Sequence, residues 1–537
     1  MRLRELIRDL DVLELHASSD PPILGLAYDS REVQPGWLFA ALEGLHTDGH
    51  RYIGQALQRG AAAVLHGRPL AEAREGVAYV RVADPRRVLS TLADAFHGRP
   101  SRSLAVIGVT GTDGKSTTVY LLHQLLAALG QPSGFLSTVS FQAGGELRSN
   151  PLRQSTPEAP EVHALLAEMV RAGKRYAVLE ATSHGLSART GRLGDVRFQA
   201  AVCTNVTHEH LEFHGTFEQY RSDKANLFRA LDRVEPAICG VEAAICGVQP
   251  AICGVQAAGE GPGGEAGAGG AAPDRRFGVA NAQDPSHAYL ASQTRHPVHL
   301  FGTRSPAAEL AARGFRGDLE GSSFTLRWPG GEAPVSLPLP GQHNVENLLA
   351  ACLTVHRLLG VPYAELLPLL PGLQGVPGRL QPVRAGQPFR VIVDYAHTPE
   401  AFARVLPFAR ALTPGRLIAV FGSAGERDTA KRPLQGEVAS RHCDLLVLAD
   451  EDPRGEDPRD ILRDIAAGCR LGAGQELVLE PDRRKAIHEA LRRAQPGDTV
   501  LLLGKGHEAS IIYPDAPLPW NEAEAALEAL RALGYGG

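Results

Sequence analysis

Short apolar runs recur along the chain, each closing in a polar or glycine-rich segment and followed, in many cases, by residues at helical spacing. Such runs stand at Leu104–Val109, Tyr176–Leu179, Ala200–Thr204, Arg390–Val393, Leu417–Phe421, Leu445–Leu448 and Val500–Leu503. Unbroken apolar strands alternating with helical patterns predict βαβ units and parallel sheets buried on both faces. In such sheets ligands bind at the carboxyl ends of the strands, so the polar motifs closing these runs are expected to face shared clefts. Breaks near Gly98-Arg-Pro-Ser101 and Pro377-Gly378 predict three α/β domains, at 1–98, 99–377 and 378–537.

One stretch departs from this pattern. Glu235-Pro-Ala-Ile-Cys-Gly-Val241, Glu242-Ala-Ala-Ile-Cys-Gly-Val248 and Gln249-Pro-Ala-Ile-Cys-Gly-Val255 form a tandem heptad running into a Gly/Ala-rich segment that ends at Ala272. Proline and glycine within the repeats exclude a coiled coil, and thiols at this spacing match no common metal site. The insertion, about 235–272, reads as a loop expansion without a catalytic part.

Composition narrows the class. With 537 residues, 44% hydrophobic and 21% charged, the chain has the make-up of an ordinary globular protein. A formal charge of -5 argues against a nucleic-acid partner. No apolar run approaches the roughly twenty residues of a membrane span, and Met1-Arg-Leu-Arg-Glu does not read as a secretory leader, so a cytoplasmic monomer acting on small molecules is expected. Seven cysteines without Cys-x-x-Cys pairing read as reduced thiols, with Cys203, Cys352 and Cys443 in the core.

The chemistry concentrates at Ser103-Leu-Ala-Val-Ile-Gly-Val-Thr-Gly-Thr-Asp-Gly-Lys-Ser-Thr-Thr118. Gly111 and Gly114 allow a tight turn that aims backbone N–H groups at a polyphosphate, Lys115 supplies a cation, Ser116 a hydroxyl for Mg²⁺, and the following helix its N-terminal dipole. Only two residues separate the glycines, so the common P-loop pattern is not met. Glu180, closing the next apolar strand, places a carboxylate beside a triphosphate site, where it suits a divalent cation. Thr204-Asn-Val-Thr-His-Glu-His-Leu-Glu-Phe-His-Gly215 is rich in imidazoles and carboxylates, read alone as a hydrated loop, a zinc site or part of the metal–phosphate cleft. In Phe217–Leu231, the apolar positions 217, 220, 227, 228 and 231 form one helical stripe on which Lys224 falls. A buried ammonium is costly unless paired or modified; the alternative is a stem that snorkels to solvent.

The spacing Gly-Thr-x-Gly-Lys-Ser-Thr resembles the ATP-binding loop of the Mur ligases and of folylpolyglutamate synthases, enzymes that join a carboxylate to an amine using ATP. The resemblance implies that Gly111, Thr112, Asp113, Gly114, Lys115, Ser116 and Thr117 bind ATP. It implies Glu180 and His210 as magnesium ligands with Ser116, and Lys224 as a carbamylated lysine that holds Mg²⁺ as an anion. Glu209 and Thr182 replace a family aspartate and serine. Gly341-Gln-His-Asn-Val-Glu-Asn347 is similar to the segment whose asparagines, here Asn344 and Asn347, contact adenine, although it also passes for a capped helix start. Gly375-Val-Pro-Gly-Arg-Leu380 resembles the hinge before the C-terminal domain. Arg379, Asp394, Tyr395 and His397 would then serve the nucleotide.

The ends of the chain place it within the family. Tyr28-Asp-Ser-Arg-Glu-Val-Gln-Pro-Gly36 resembles the uridine-diphosphate domain of ligases adding the third and later peptide residues, a domain that folylpolyglutamate synthases lack. Ser30, Arg31 and His46 would hold the UDP-sugar, and Ser155, Thr156, Ser183 and Arg192 its muramoyl-dipeptide. Phe421-Gly-Ser-Ala-Gly-Glu-Arg-Asp428, Glu451-Asp-Pro-Arg454 and Gly504-Lys-Gly-His-Glu508 are similar to the amino-acid site of the third-residue ligases, implying Arg427, Asp452, Arg454, Gly504 and Glu508 as contacts. Diaminopimelate-using members carry Asp-Asn-Pro-Arg at the selective segment. Asp452 in place of the amide favours lysine or ornithine, whereas Arg454 favours diaminopimelate. The resemblance implies a central P-loop-like parallel sheet, a Rossmann-like C-terminal domain, and ATP and Mg²⁺ as cofactors. A non-catalytic ATP-binding paralogue would account for Thr182, Glu209 and Asp452, but Lys115, Glu180, His210 and Lys224 are all present.

Overall fold

The computed structural model describes residues 1–44, 47–70, 73–150, 155–207, 211–233 and 275–536. His46, Glu209, His210 and the heptad repeats lie outside the described residues. The described chain groups into two compact units: Met1–Arg313, Leu326–Ala333 and Glu346–Leu369 form the first, and Gly314–Thr325, Pro334–Val345 and Leu370–Gly537 the second. The N-terminal and central segments thus fall in one unit.

In the first unit, the N-terminal sheet orders its strands Val12–His16, Ala78–Val82, Ala63–His66, Leu38–Ala40 and Leu26–Ala27, parallel except for the edge strand Val12–His16. Helix Pro85–Phe96 follows, with the Asp84 carboxylate accepting from the amides of Arg86 and Arg87 and Pro85 at its start. At the linker, Gly98 and Arg99 both take positive φ.

The central sheet is built around Ala105–Thr110. It pairs in parallel with Tyr176–Glu180 on one side and Ala200–Cys203 on the other. Glu180 stands opposite Val109 and Cys203 opposite Thr110. This register brings the glycine loop, Glu180 and Thr204 to the same carboxyl edge. Ser133–Leu136 extends the sheet beyond Tyr176–Glu180, and Phe277–Asn281 and Val298–Gly302 extend it beyond Ala200–Cys203. Helix Lys115–Ala128 packs on this sheet through buried Val119, Leu122 and Leu126.

The second unit holds a sheet ordered Gln381–Pro382, Arg390–Asp394, Thr499–Leu503, Leu417–Phe421, Leu445–Leu448 and Glu476–Leu479, parallel except at its first strand. All seven strands expected from apolar runs are present, with ends shifted by a residue at most. Cys203, Cys352 and Cys443 are buried; burial pushes the thiols of Cys203 and Cys352 up to about 12, which leaves them unreactive near neutral pH.

Candidate active site

Two clusters of polar side chains stand at the carboxyl edges of the sheets, one in each unit. In the first, Gly111 and Gly114 adopt φ of +148° and +82°. A Cβ at Gly111 would overlap Thr204 Oγ1 and one at Gly114 would overlap Asn347 Oδ1, so glycine is required at both by close approach as well as by conformation. Asn205 pins the loop, accepting from the Asp113 amide at 2.9 Å and donating to the Asp113 carbonyl at 3.2 Å. Thr112 Oγ1 meets the Tyr220 hydroxyl at 2.9 Å. Lys115 curls over the loop, its Nζ donating to the carbonyls of Gly111 and Thr112 at 3.1 and 2.7 Å.

Ser116 Oγ donates to Glu180 Oε2 at 2.8 Å. Thr138 adds its amide and its hydroxyl to the same carboxylate, each at 2.9 Å. Glu180 is 2% exposed, and no lysine, arginine or histidine among the described residues forms an ion pair with it. Its hydrogen-bond partners among the described residues are all neutral donors. Together with a hydroxyl, the carboxylate forms the hard oxygen donor set that Mg²⁺ requires, so these residues fit the ion.

Lys224 lies on helix Phe217–Arg229, is 1% exposed, and is flanked by buried Tyr220, Leu227 and Phe228. Thr216 caps the helix through the Gln219 amide. The Lys224 Nζ donates to the Gly111 carbonyl at 2.5 Å and sits 4.4 Å from the centre of the Tyr220 ring. The stem therefore does not run out to solvent; its head group reaches the phosphate loop.

Thr156 Oγ1 donates to the Glu180 carbonyl at 2.9 Å and meets Thr182 Oγ1 at 3.0 Å. Arg192 donates to the Thr156 carbonyl and to Glu158 Oε1, both at 2.9 Å. Ser183 Oγ meets His214 Nε2 at 3.1 Å, while His214 Nδ1 meets Asp223 at 2.7 Å. Thr156, Ser183 and Arg192 thus gather beside Glu180. Ser155 immediately precedes Thr156 and is half-buried. Ser30 is buried on Gln55 at 2.7 Å, and exposed Arg31 pairs bidentately with Asp29 in the N-terminal sheet. Tyr28 OH donates to Glu161, on helix Ala159–Arg171, at 2.9 Å.

Asn347 is 4% exposed and meets Thr118 Oγ1 at 3.4 Å, beside the phosphate loop. Asn344, in the second unit, donates to the Pro340 carbonyl at 2.8 Å and so ties down the start of its helix.

In the second unit, Asp394 is buried and accepts from the amides of Leu380 and Ala396 at 2.7 and 2.8 Å; burial raises its carboxyl above the usual range. The Arg379 guanidinium lies over the Tyr395 ring, with 5.1 Å to its centre. Tyr395 also lies against the rings of His397 and His507, tilted to both, with centroids 4.6 and 4.7 Å away. Burial lowers His397 and takes His507 down to about 4, so both rings are neutral at pH 7.

The loops after Phe421, Leu448 and Leu503 converge. Lys505 is fully buried; its Nζ donates to Asp452 Oδ1 at 2.8 Å and Glu508 Oε2 at 2.6 Å, and the Ile512 amide adds to Asp452 at 3.0 Å. Asp452, expected from the sequence to favour lysine or ornithine, accepts from Lys505, a partner adjacent in space but distant in sequence. Glu451 is buried, its Oε2 without a hydrogen-bond partner, and burial pushes its carboxyl up to about 7 against the pull of Lys431, Lys505 and Arg483. Gly504, with φ of +99°, leaves room for that carboxylate. Arg454 takes φ of +54° and has a buried Nε without a partner. Arg427 is exposed.

Sequence profiles of three families cover most of the chain: the Mur ligase family catalytic domain at 22–97, the Mur ligase middle domain at 109–246 and 270–355, and the Mur ligase glutamate ligase domain at 378–506. The chain belongs to the Mur ligase family. It is a ligase joining an acid to an amino acid, with the three-domain α/β architecture of that family. The UDP-N-acetylmuramyl-tripeptide synthetase of Roseiflexus sp. strain RS-1 is 47% identical over 100% of both chains. The UDP-N-acetylmuramoyl-L-alanyl-D-glutamate--2,6-diaminopimelate ligase of Geobacillus kaustophilus is 35% identical, covering 99% of this chain and 100% of its own. A solved structure of a ligase with that same name superposes with a TM-score of 0.62 at 27% identity, covering 96% of each chain.

Thr138, Asn205, His214 with Asp223, and Lys505 are the site residues that motif reading passed over. Thr138 carries no sequence signal, since it reaches Glu180 from a neighbouring strand end. His214, Asn205 and Lys505 sit inside the quoted motifs, and only their partners needed the fold.

Proposed function

We propose that this Mur ligase adds a diamino acid to the D-glutamate γ-carboxylate of UDP-MurNAc-L-Ala-D-Glu, using ATP, during peptidoglycan precursor synthesis, as a cytoplasmic monomer. A carboxylate is a poor electrophile, so its oxygen attacks the γ-phosphate of ATP to give an acyl phosphate, from which the incoming amine displaces phosphate. Gly111 to Thr117 cradle the polyphosphate, and Lys115 stabilises charge developing on the transferred phosphoryl oxygens. Asn344, Asn347, Arg379, Asp394, Tyr395 and His397 serve the nucleotide. Ser116 and Glu180, with His210 and carbamylated Lys224, would hold Mg²⁺, which supplies charge neutralisation on the phosphates. Ser30, Arg31 and His46 take the UDP-sugar, and Ser155, Thr156, Ser183 and Arg192 its peptide.

The observation that carries the choice of amino acid is the division of one ammonium, Lys505, between two carboxylates, Asp452 and Glu508. The trio keeps a net negative charge that an amide at 452 would remove. Glu451, buried beside it, adds a further acid. This environment favours a distal ammonium over a distal carboxylate, hence lysine or ornithine, with Arg427 on the α-carboxylate. The test is ATP-dependent phosphate release with UDP-MurNAc-L-Ala-D-Glu and L-lysine, L-ornithine or meso-diaminopimelate offered separately, products identified by mass. Turnover with lysine or ornithine is expected, and Asp452→Asn should improve diaminopimelate relative to them by roughly tenfold. Turnover with diaminopimelate alone would give the selection to Arg454, and no turnover with any would leave the paralogue.

A further inference from the structure

A cavity of about 590 Å³ opens in the first unit where helix Pro85–Phe96 meets the loop 185–195 and the end of helix Phe217–Arg229. It is distinct from the phosphate loop. Phe198, which lines it, precedes strand Ala200–Cys203, and Ala230 and Arg233 follow the helix that returns antiparallel to that strand. Phe198, Ala230 and Arg233 therefore stand toward the amino end of the sheet, while Gly185 and Leu186 enter the lining from the loop that leaves the carboxyl end of Tyr176–Glu180.

Most of its polar lining is already satisfied. Asn226 donates to the Leu186 carbonyl at 2.9 Å and accepts from Arg229 at 2.7 Å. Thr91 donates to Asp195 at 3.1 Å. Two lining groups differ: the exposed guanidinia of Arg87 and Arg233 make no hydrogen bond or ion pair with any described residue. Among the described lining residues Asp195 is the one carboxylate, set against the two guanidinia of Arg87 and Arg233. Leu186, Leu193, Phe198 and Ala230 supply an apolar wall. A guanidinium suits carboxylate or phosphate, and a concave apolar wall with few polar groups is the usual form of a small-molecule site.

We propose that this cavity is a second ligand site that takes a small amphipathic anion, a carboxylate or phosphate carried on an apolar body. Its ligand bears on the Leu186–Asn226 bond. That bond ties the loop following Ser183 to the helix two residues beyond Lys224, so occupancy braces the helix whose lysine reaches the phosphate loop.

The test uses the full chain and 1-naphthyl phosphate as probe, titrated by fluorescence with saturating UDP-MurNAc-L-Ala-D-Glu and a non-hydrolysable ATP analogue present. Saturable binding under these conditions is expected, with affinity at least tenfold lower in the double variant Arg87→Ala/Arg233→Ala and at least tenfold lower for neutral 1-naphthol. Protection of 217–229 from hydrogen exchange by the probe should accompany it. Both arginines are exposed, so the variant should fold, and thermal unfolding without probe checks this. The proposal is overturned if the probe does not bind, if substrates displace it, or if the double variant and 1-naphthol bind as tightly.

Discussion

At the phosphate loop, Glu180 is held by a serine hydroxyl and by the amide and hydroxyl of Thr138, with no cationic partner among the described residues. In the C-terminal sheet the opposite arrangement prevails: Asp452 and Glu508 share Lys505, and Glu522 binds Arg483, both fully buried. The first cluster surrounds its carboxylate with neutral donors, while the second sets one buried ammonium between two carboxylates and pairs another carboxylate with a buried guanidinium. A binding site and a structural ion pair can therefore use the same residue types, and the difference lies in whether a counter-charge is built in.

The largest expected effect falls on the first cluster. On the proposed reaction, Lys115→Ala takes a cation from the transferred phosphoryl group and should lower kcat by about 10³-fold, with the thermal midpoint little changed; steady-state phosphate release against calorimetry checks it. An equal loss from the conservative Asn205→Ala, which only loosens the loop, would blur the contrast.

In the second cluster the main loss should be in stability. Glu522→Ala leaves the Arg483 guanidinium buried without its carboxylate, where Trp520 Nε1 also donates at 2.6 Å. The cost is expected to be about 3–5 kcal/mol, read from denaturant midpoints. A loss below about 1 kcal/mol would mean that the pair is solvated.

A smaller effect concerns Glu451. Its folded carboxyl titrates at about 7, above the ordinary value of 4.5. The folded state thus binds more protons than the unfolded chain between these values, and stability present below about 4.5 is lost as pH rises through about 7. The drop should be about 3–4 kcal/mol and should flatten in Glu451→Gln, measured as unfolding free energy against pH. Asp450, pushed up to about 6 by burial, adds a shallower slope of the same sign that the substitution leaves in place.

The same contrast sets what could be read from sequence. The strands were legible because unbroken apolar runs such as Leu417–Phe421 admit little else. The positions of Lys115, Ser116, Glu180 and Lys224 were legible because each falls at a strand end or on a helical stripe that the sequence pattern marks. The surroundings of Asp452 were not, since Lys505, which it shares with Glu508, comes from the loop after a strand distant in sequence. Strand Ser133–Leu136 and the loop that delivers Thr138 to Glu180 were missed because Ser-Gly-Phe-Leu has no periodicity to mark it.

The central claim is that the phosphate cluster draws an anion from Lys224, whose ammonium meets the Gly111 carbonyl. The direct measurement is ¹³C NMR of the full chain equilibrated with ¹³C-bicarbonate and Mg²⁺. The account predicts one carbamate signal, absent in Lys224→Arg, with activity falling on removal of CO₂ and returning on its addition. A fully active enzyme with no labelled carbon on Lys224 would contradict it.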